Sequence, residues 1–284
     1  MVGKVLASVL VLASLFSLTA ARASDGSGAL PAISGWNGKL QFEGGPDTIM
    51  GFSNPESFEW RAGGSLSIPL DTRFGLQADI AASNSITGSE YGGGIVHFFT
   101  RDPNSYLFGV TGGAFFTDHG SGEVIGPEIE YYNGPIYVSA YGGYMNLNVT
   151  AIPSSQLFGI ADVTYFAHEN LGLNLGIKDI AGFKTAHAGI EYQFSDMSPM
   201  AVTLDGKIGD ADYKAVNLGI KLYLGSAPKS LQRRHREDDP PNRIFDIFSG
   251  AGSAFSSPGM APGCGPNEID VDQGPGVHCV TIEG

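Results

Sequence analysis

Positive charge and cysteine are both scarce in this chain, and a long apolar run is missing from everything after its first two dozen residues. Lysine and arginine number 16 against 29 acids, for a net charge of −13. That balance argues against nucleic acid as a partner, because phosphate recognition wants a basic face. Only Cys264 and Cys279 are present, too few for a disulfide-built fold and without the Cys-x-x-Cys spacing of a zinc site. No later stretch has the roughly 20 apolar residues of a membrane-crossing helix. Motifs that carry chemistry are as rare. No serine or cysteine nucleophile stands beside a histidine in a context that fixes its geometry, so no catalysis, metal or cofactor is expected.

The N-terminus does carry an apolar run. Met1 to Lys4 is short and basic, Val5 to Thr19 is almost wholly apolar, and Ala21-Arg22-Ala23 fits a small-x-small cleavage pattern. Residues 1–23 therefore read as a secretory signal peptide, followed by a lead at 24–34. Its removal takes Lys4 and Arg22 and no acid, so the mature charge is −13 − 2 = −15. Export permits a Cys264–Cys279 disulfide.

From Trp36 to Leu224 the period is two. Val216, Leu218, Ile220, Leu222 and Leu224 alternate with Asn217, Gly219, Lys221 and Tyr223, and Leu171 to Lys178 repeats the pattern. Strict alternation marks strands whose two faces meet different surroundings. About twelve segments are predicted, at 35–44, 57–69, 73–83, 89–100, 105–116, 122–133, 135–147, 156–167, 170–179, 182–194, 199–209 and 212–224. Most reach the roughly 9–11 residues that a tilted strand needs to cross a bilayer. Turn chemistry is tight at one set of connections, such as Asn133-Gly134-Pro135. The other set reads as longer on average, at 45–56, 82–89, 118–122 and 148–155. That asymmetry predicts an antiparallel up-and-down transmembrane β-barrel over 35–225, with its tight turns in the periplasm. Trp36, Trp60, Tyr106, Tyr131, Tyr165, Phe194 and Tyr213 lie near strand ends, as interfacial girdle residues do.

The strand ends Gly189-Ile190-Glu191-Tyr192-Gln193-Phe194 and Gly219-Ile220-Lys221-Leu222-Tyr223-Leu224 resemble the closing strand of bacterial outer-membrane β-barrels of the porin-like or opacity-protein-like type. The resemblance implies an outer-membrane location, contact with its lipid, and assembly by the machinery that recognises such a strand. In that family the chain usually ends there; here sixty residues follow. A ten-strand barrel closed at Phe194 is the alternative.

If the apolar face meets lipid, the other face lines the interior. It would carry Lys39, Glu43, Glu59, Arg61 and Asp79, then His97, Glu128, Glu130 and Asp162, then Lys178, His187, Glu191, Asp205, Lys207 and Lys221. Inward Gly63, Gly93, Gly109, Gly113, Gly172, Gly176, Gly189 and Gly219 would leave space between them. Mixed charges in an open bore predict passive diffusion of small hydrophilic solutes. The same charges paired in a filled bore would give a structural or tethering barrel. A soluble ligand-binding barrel shares the period and is the third reading.

Residues 226–284 change composition and are expected as a partly disordered periplasmic tail, with a tether to a periplasmic partner or a plug of the lumen as its other fates. Ile244-Phe245-Asp246-Ile247-Phe248 is its one apolar patch. His119-Gly120-Ser121 reads as a turn, Asn148-Val149-Thr150 as a polar loop, and Asp270-Val271-Asp272 lacks the further ligands of a calcium loop.

Overall fold

The computed structural model describes residues 30–48, 58–84, 90–117, 120–149, 152–225, 227–238, 240–254, 268–270 and 279–281. The expected signal peptide and Cys264 lie outside these residues. Twelve long strands follow one another: β1 (Asn37–Thr48), β2 (Phe58–Pro69), β3 (Phe74–Asn84), β4 (Glu90–Asp102), β5 (Tyr106–Thr117), β6 (Gly120–Asn133), β7 (Ile136–Val149), β8 (Ile152–His168), β9 (Leu171–Ile180), β10 (Phe183–Gln193), β11 (Met200–Gly209) and β12 (Lys214–Leu224). Two helices come next, α1 (Leu231–Glu237) and α2 (Arg243–Ala254), and then a short pair β13 (Glu268–Asp270) and β14 (Cys279–Thr281).

Each of the twelve pairs antiparallel with its sequence neighbour, and β1 closes the sheet on β12, with Gly38 opposite Leu224 and Phe42 opposite Ile220. The barrel therefore has twelve strands, and the ten-strand alternative falls. Closure leaves no unpaired edge strand, so the strands of the wall pair with one another without water. Strands of 10 to 17 residues are long enough to span a bilayer.

The outer wall is what a lipid-facing surface requires. Leu157, Leu175, Ile177, Ile208, Val216 and Leu218 are each more than half exposed. Tyr106, Tyr131, Tyr165, Tyr192 and Phe194 stand outward towards the tight-turn end, in the place of an aromatic girdle. Burying this much apolar surface in water is impossible for the barrel alone, so the wall is a membrane surface. Among the described residues no helix is long and apolar enough to cross a membrane; the strands make the crossing.

Two expectations are corrected. Tyr213 is no girdle residue: it is only 1% exposed and turns inward, where its hydroxyl donates to Glu59 Oε2 at 2.9 Å. The connections at 118–122 and 148–155 are not long either. Cross-strand pairing continues to Thr117 opposite Gly120 and to Val149 opposite Ile152, so these residues extend the wall. Gly120, Ser121, Asn148 and Val149 are strand residues, while His119 and Thr150 lie outside the described set.

Leu218 sits mid-strand on the outer wall at 65% exposure. Leu218→Arg is expected to destabilise the membrane-inserted barrel by about 2–4 kcal/mol, read from urea unfolding in lipid vesicles. The same change at Ser195, on a tight turn, is expected to cost much less.

Candidate functional site: a charged bore and the segment within it

The inward face of the wall carries the charge. All fifteen residues expected to line the interior do face inward, and two more join them. Arg101 continues the parity of His97 and Phe99, and Asp47 continues that of Lys39 and Glu43. Extending the alternation by one or two residues at each strand end would have found both. Among the described residues the inner wall thus holds nine carboxylates (Glu43, Asp47, Glu59, Asp79, Glu128, Glu130, Asp162, Glu191, Asp205). Against them stand six bases (Lys39, Arg61, Arg101, Lys178, Lys207, Lys221), so with His97 and His187 counted as neutral the wall is at 6 − 9 = −3.

These charges form clusters. Arg61 bridges Glu59 and Glu43, and Lys207 Nζ lies 3.3 Å from Glu43. His187 spans Asp162 at 2.8 Å and Asp205 at 2.9 Å. Lys221 donates to Glu191 at 2.7 Å, and the hydroxyl of Tyr223 reaches the same carboxylate at 2.7 Å. His97 stands between Asp79 (2.8 Å) and Glu128 (2.9 Å). Removing one member of such a group strands a buried charge, which costs far more than the pair is worth.

Glycine makes the long reaches possible. Gly176 on β9 pairs with Asp162 on one side and His187 on the other. A Cβ there would fall 2.1 Å from both Asp162 Oδ1 and His187 Nε2. The bridge therefore crosses an intervening strand over a residue that has no side chain. At Gly176, Gly189 and Gly219 the space a glycine leaves is taken by neighbouring side chains, and at Gly113 by the backbone of the next strand.

The bore also has an apolar sector that the alternation did not reveal. Tyr91, Ile95, Phe115, Val124, Tyr141 and Met145 are buried on the inner side of β4 to β7. They cover α2: Phe248 stacks edge-on to Phe115 and lies 6.0 Å from Tyr91, while Ile244, Phe245 and Ile247 are buried with them. Residues 229–238 and 240–249, expected within a periplasmic tail with a plug of the lumen among its open fates, lie across and within the barrel. An apolar patch with an amphipathic period finds a dry surface there.

Polar contacts set the path of this segment. α1 lies across the tight-turn mouth. Leu231 N–H donates to Asn170 Oδ1 at 2.9 Å, Arg234 Nε to Gln193 Oε1 at 3.0 Å, and Arg236 to the Gly134 carbonyl at 2.6 Å. Arg234 lies over the Tyr223 ring, and His235 packs edge-on to Tyr137 and Phe166. At the turn into the bore the Pro240 carbonyl accepts from Lys39 (3.1 Å) and Gln77 (3.2 Å). Asn242 then caps α2, its Oδ1 accepting from Phe245 N–H at 3.0 Å while its amide donates to the Gly64 and Ile80 carbonyls. Deeper in, Arg243 N–H donates to Asp79 Oδ2 at 3.0 Å, and Lys178 donates to Ser249.

The N-terminal lead fastens the mouth. Ser34 accepts from Lys229 and donates to Asp238, both at 2.7 Å. Burial works to raise the Glu237 carboxyl, but a hydrogen bond from Arg233 and the charge of Lys229 outweigh it and hold the group below the ordinary glutamate range.

A cavity of about 180 Å³ remains beside the helices, against Glu43, Asp162, His187, Asp205 and Lys207. Thr111 Oγ1 stands 3.1 Å from His97 Nδ1, with Asp79 on the opposite ring nitrogen. Glu128 competes for the same Nδ1, and Thr111 and His97 are fully buried with the segment docked. Among the described residues no group of histidine, cysteine and acid has the geometry to hold a metal ion.

No family model matches the chain, and no curated protein matches it. Solved structures do. The KdgM porin aligns at a TM-score of 0.49 with 6% identity, covering 65% of this chain and 98% of that one. The NanC porin aligns at 0.49 with 8% identity, covering 64% and 98%. Outer membrane phospholipase A from Escherichia coli aligns at 0.43 with 10% identity, covering 69% and 98%. The strand count and the lipid-facing wall rest on this chain's own residues.

Gly176→Ala is expected to break the His187–Asp162 bridge and lower stability by about 1–3 kcal/mol, the cost of a buried polar group left unsatisfied, read from denaturant unfolding. Because the Glu237 carboxyl is held low, its contribution is complete above the ordinary glutamate value of about 4.3 and is lost as pH falls through the folded value below it. A fluorophore at position 232 should therefore report loosening of α1 on acidification. Glu237→Gln should be looser at neutral pH and show a smaller acid response.

Proposed function

We propose that this chain is a bacterial outer-membrane barrel for passive passage of small hydrophilic solutes, held closed by its own C-terminal segment. One observation carries the reading: the twelve strands close on themselves, β1 on β12, and no described residue after Leu224 takes part in their strand pairing. The segment that fills the bore is a guest of a complete barrel, so it can leave without opening the sheet. A charged inner wall supports the same reading, because such a surface holds water once the guest is out.

In this scheme residues 37–224 are the lipid-embedded wall, inserted by the outer-membrane assembly machinery through the closing strand β12. The wall charges are the pore lining, and no catalytic step is assigned to any residue. A second reading is favoured by a specific feature. Ile244, Ile247 and Phe248 are almost wholly buried and Phe245 nearly so, and each contributes roughly 1.5–3 kcal/mol if fully withdrawn from water. A permanent plug would make the protein a structural barrel.

Conductance in a planar bilayer separates the two. A Cβ at Gly63 would already touch Phe245 at 3.0 Å and Asn242 at 3.2 Å, so Gly63→Phe has no room beside a docked α2. The full chain is expected to give rare or small unitary steps, and both Gly63→Phe and a chain stopped after Gly225 larger and steadier ones. Inserted protein that stays silent in all three forms would remove the passage reading and leave the structural one.

A further inference from the structure

The plug and the wall are complementary in charge. Lys229, Arg233, Arg234, Arg236 and Arg243 oppose Glu237, Asp238 and Asp246 on the plug, a balance of 5 − 3 = +2 among its described residues, against the wall's −3. The most enclosed of these cations is Arg243, at the start of α2 and fully buried. Its backbone N–H donates to Asp79, its Nε lies 3.7 Å from Glu128 Oε2, and its guanidinium carbon lies 5.9 Å from the centre of the Tyr141 ring. Glu128 of β6 and the Tyr141 ring of β7 thus face the planar cation, while Asp79 of β3 holds its backbone.

We propose that Glu128 and the Tyr141 ring form a guanidinium site on the bore wall, occupied in the closed barrel by Arg243, and that a cationic solute bearing a guanidinium group takes this place when the plug is out. The second part rests on the passage reading above; the first does not.

Three features point to an external ligand. Glu128 and Tyr141 belong to the wall and stay when α2 leaves, so the site survives the loss of its present occupant. A planar guanidinium matches carboxylate acceptors and lies well against an aromatic face, where a compact ammonium gains less. Arg243 is also an imperfect occupant. Its Nε and Nη2 find no hydrogen-bond acceptor, because its backbone is fixed by the bond to Asp79 and its Nη1 is drawn 3.2 Å from Asp246 of the plug itself. A free guanidinium, released from the helix, can orient both donors on Glu128. His97 keeps that carboxylate in place from the other side, with Nδ1 2.9 Å from Oε1, and holds Asp79 through Nε2. The site is thus preorganised by a wall residue and does not depend on the plug for its shape.

The test is chemical rescue in the full chain. Arg243→Ala empties the site while leaving Asn242, Phe245 and Phe248 to dock α2. Millimolar methylguanidinium is then added during refolding and during thermal melts in detergent, with sodium chloride at the same ionic strength as the reference. The expected result is a saturable rise in melting midpoint, or in refolded yield if the variant does not fold unaided, that the wild-type chain lacks. Glu128→Gln in the Arg243→Ala background should abolish the rise. Equal behaviour in methylguanidinium and sodium chloride, or a rise that survives Glu128→Gln, would overturn the site. The passage half is read separately from reversal potentials of the Gly63→Phe barrel in a potassium chloride gradient. Cation preference with block by methylguanidinium supports it, and chloride preference overturns it. Rescue in a protein that never conducts would keep the site and remove the solute.

Discussion

Every charged side chain on the inner wall must find a counter-charge or a hydrogen-bond partner inside a bore that the chain itself has filled. This constraint organises the rest of the molecule. An isolated buried carboxylate costs several kcal/mol in effective desolvation, even after relaxation. The wall answers it with clusters of three or more groups, such as Glu43–Arg61–Glu59 and Asp162–His187–Asp205, and the plug supplies the cations that the wall lacks.

Barrel geometry makes such clusters reachable. Inward side chains on adjacent strands stand side by side, and a glycine in the strand between lets short side chains two strands apart meet directly across it. Gly176 is that glycine for His187 and Asp162. The abundant inward glycine is thus explained by electrostatics as much as by pore width. The outer wall answers to a different solvent, and its leucine, isoleucine and aromatic content follows from lipid contact alone.

The C-terminal segment couples these two halves of the problem. Ordering its backbone costs about 1–2 kcal/mol per residue, more than its few buried apolar side chains return. It docks because the bore adds ion pairs, capped helix ends and arginine–ring contacts to that gain. A helix as short as α1 would not stand by itself in water. Its order is borrowed from the mouth of the barrel, through Asn170, Gln193 and the Gly134 carbonyl.

Much of this was legible in the chain by itself. A side-chain period of two is a local property, so the twelve strands, their bounds to within a few residues, the lipid face and the fifteen inward polar residues could be read from alternation and turn chemistry. The lengths of the connections at 118–122 and 148–155 could not, because polar and glycine residues extend a paired strand as readily as they form a loop. The inward turn of Tyr213 follows from extending the parity of Ala215 and Asn217 past the strand end, and its hydroxyl meets Glu59 of β2. Above all, alternation states which residues share a face and is silent on what fills the space that face encloses. That Tyr91, Phe115 and Tyr141 form a dry sector, and that Ile244, Phe245, Ile247 and Phe248 are what dries it, depends on groups more than 90 residues apart in the chain. Only the closed barrel brings them together, and burial of apolar surface acts on distance in space, whatever the separation in sequence.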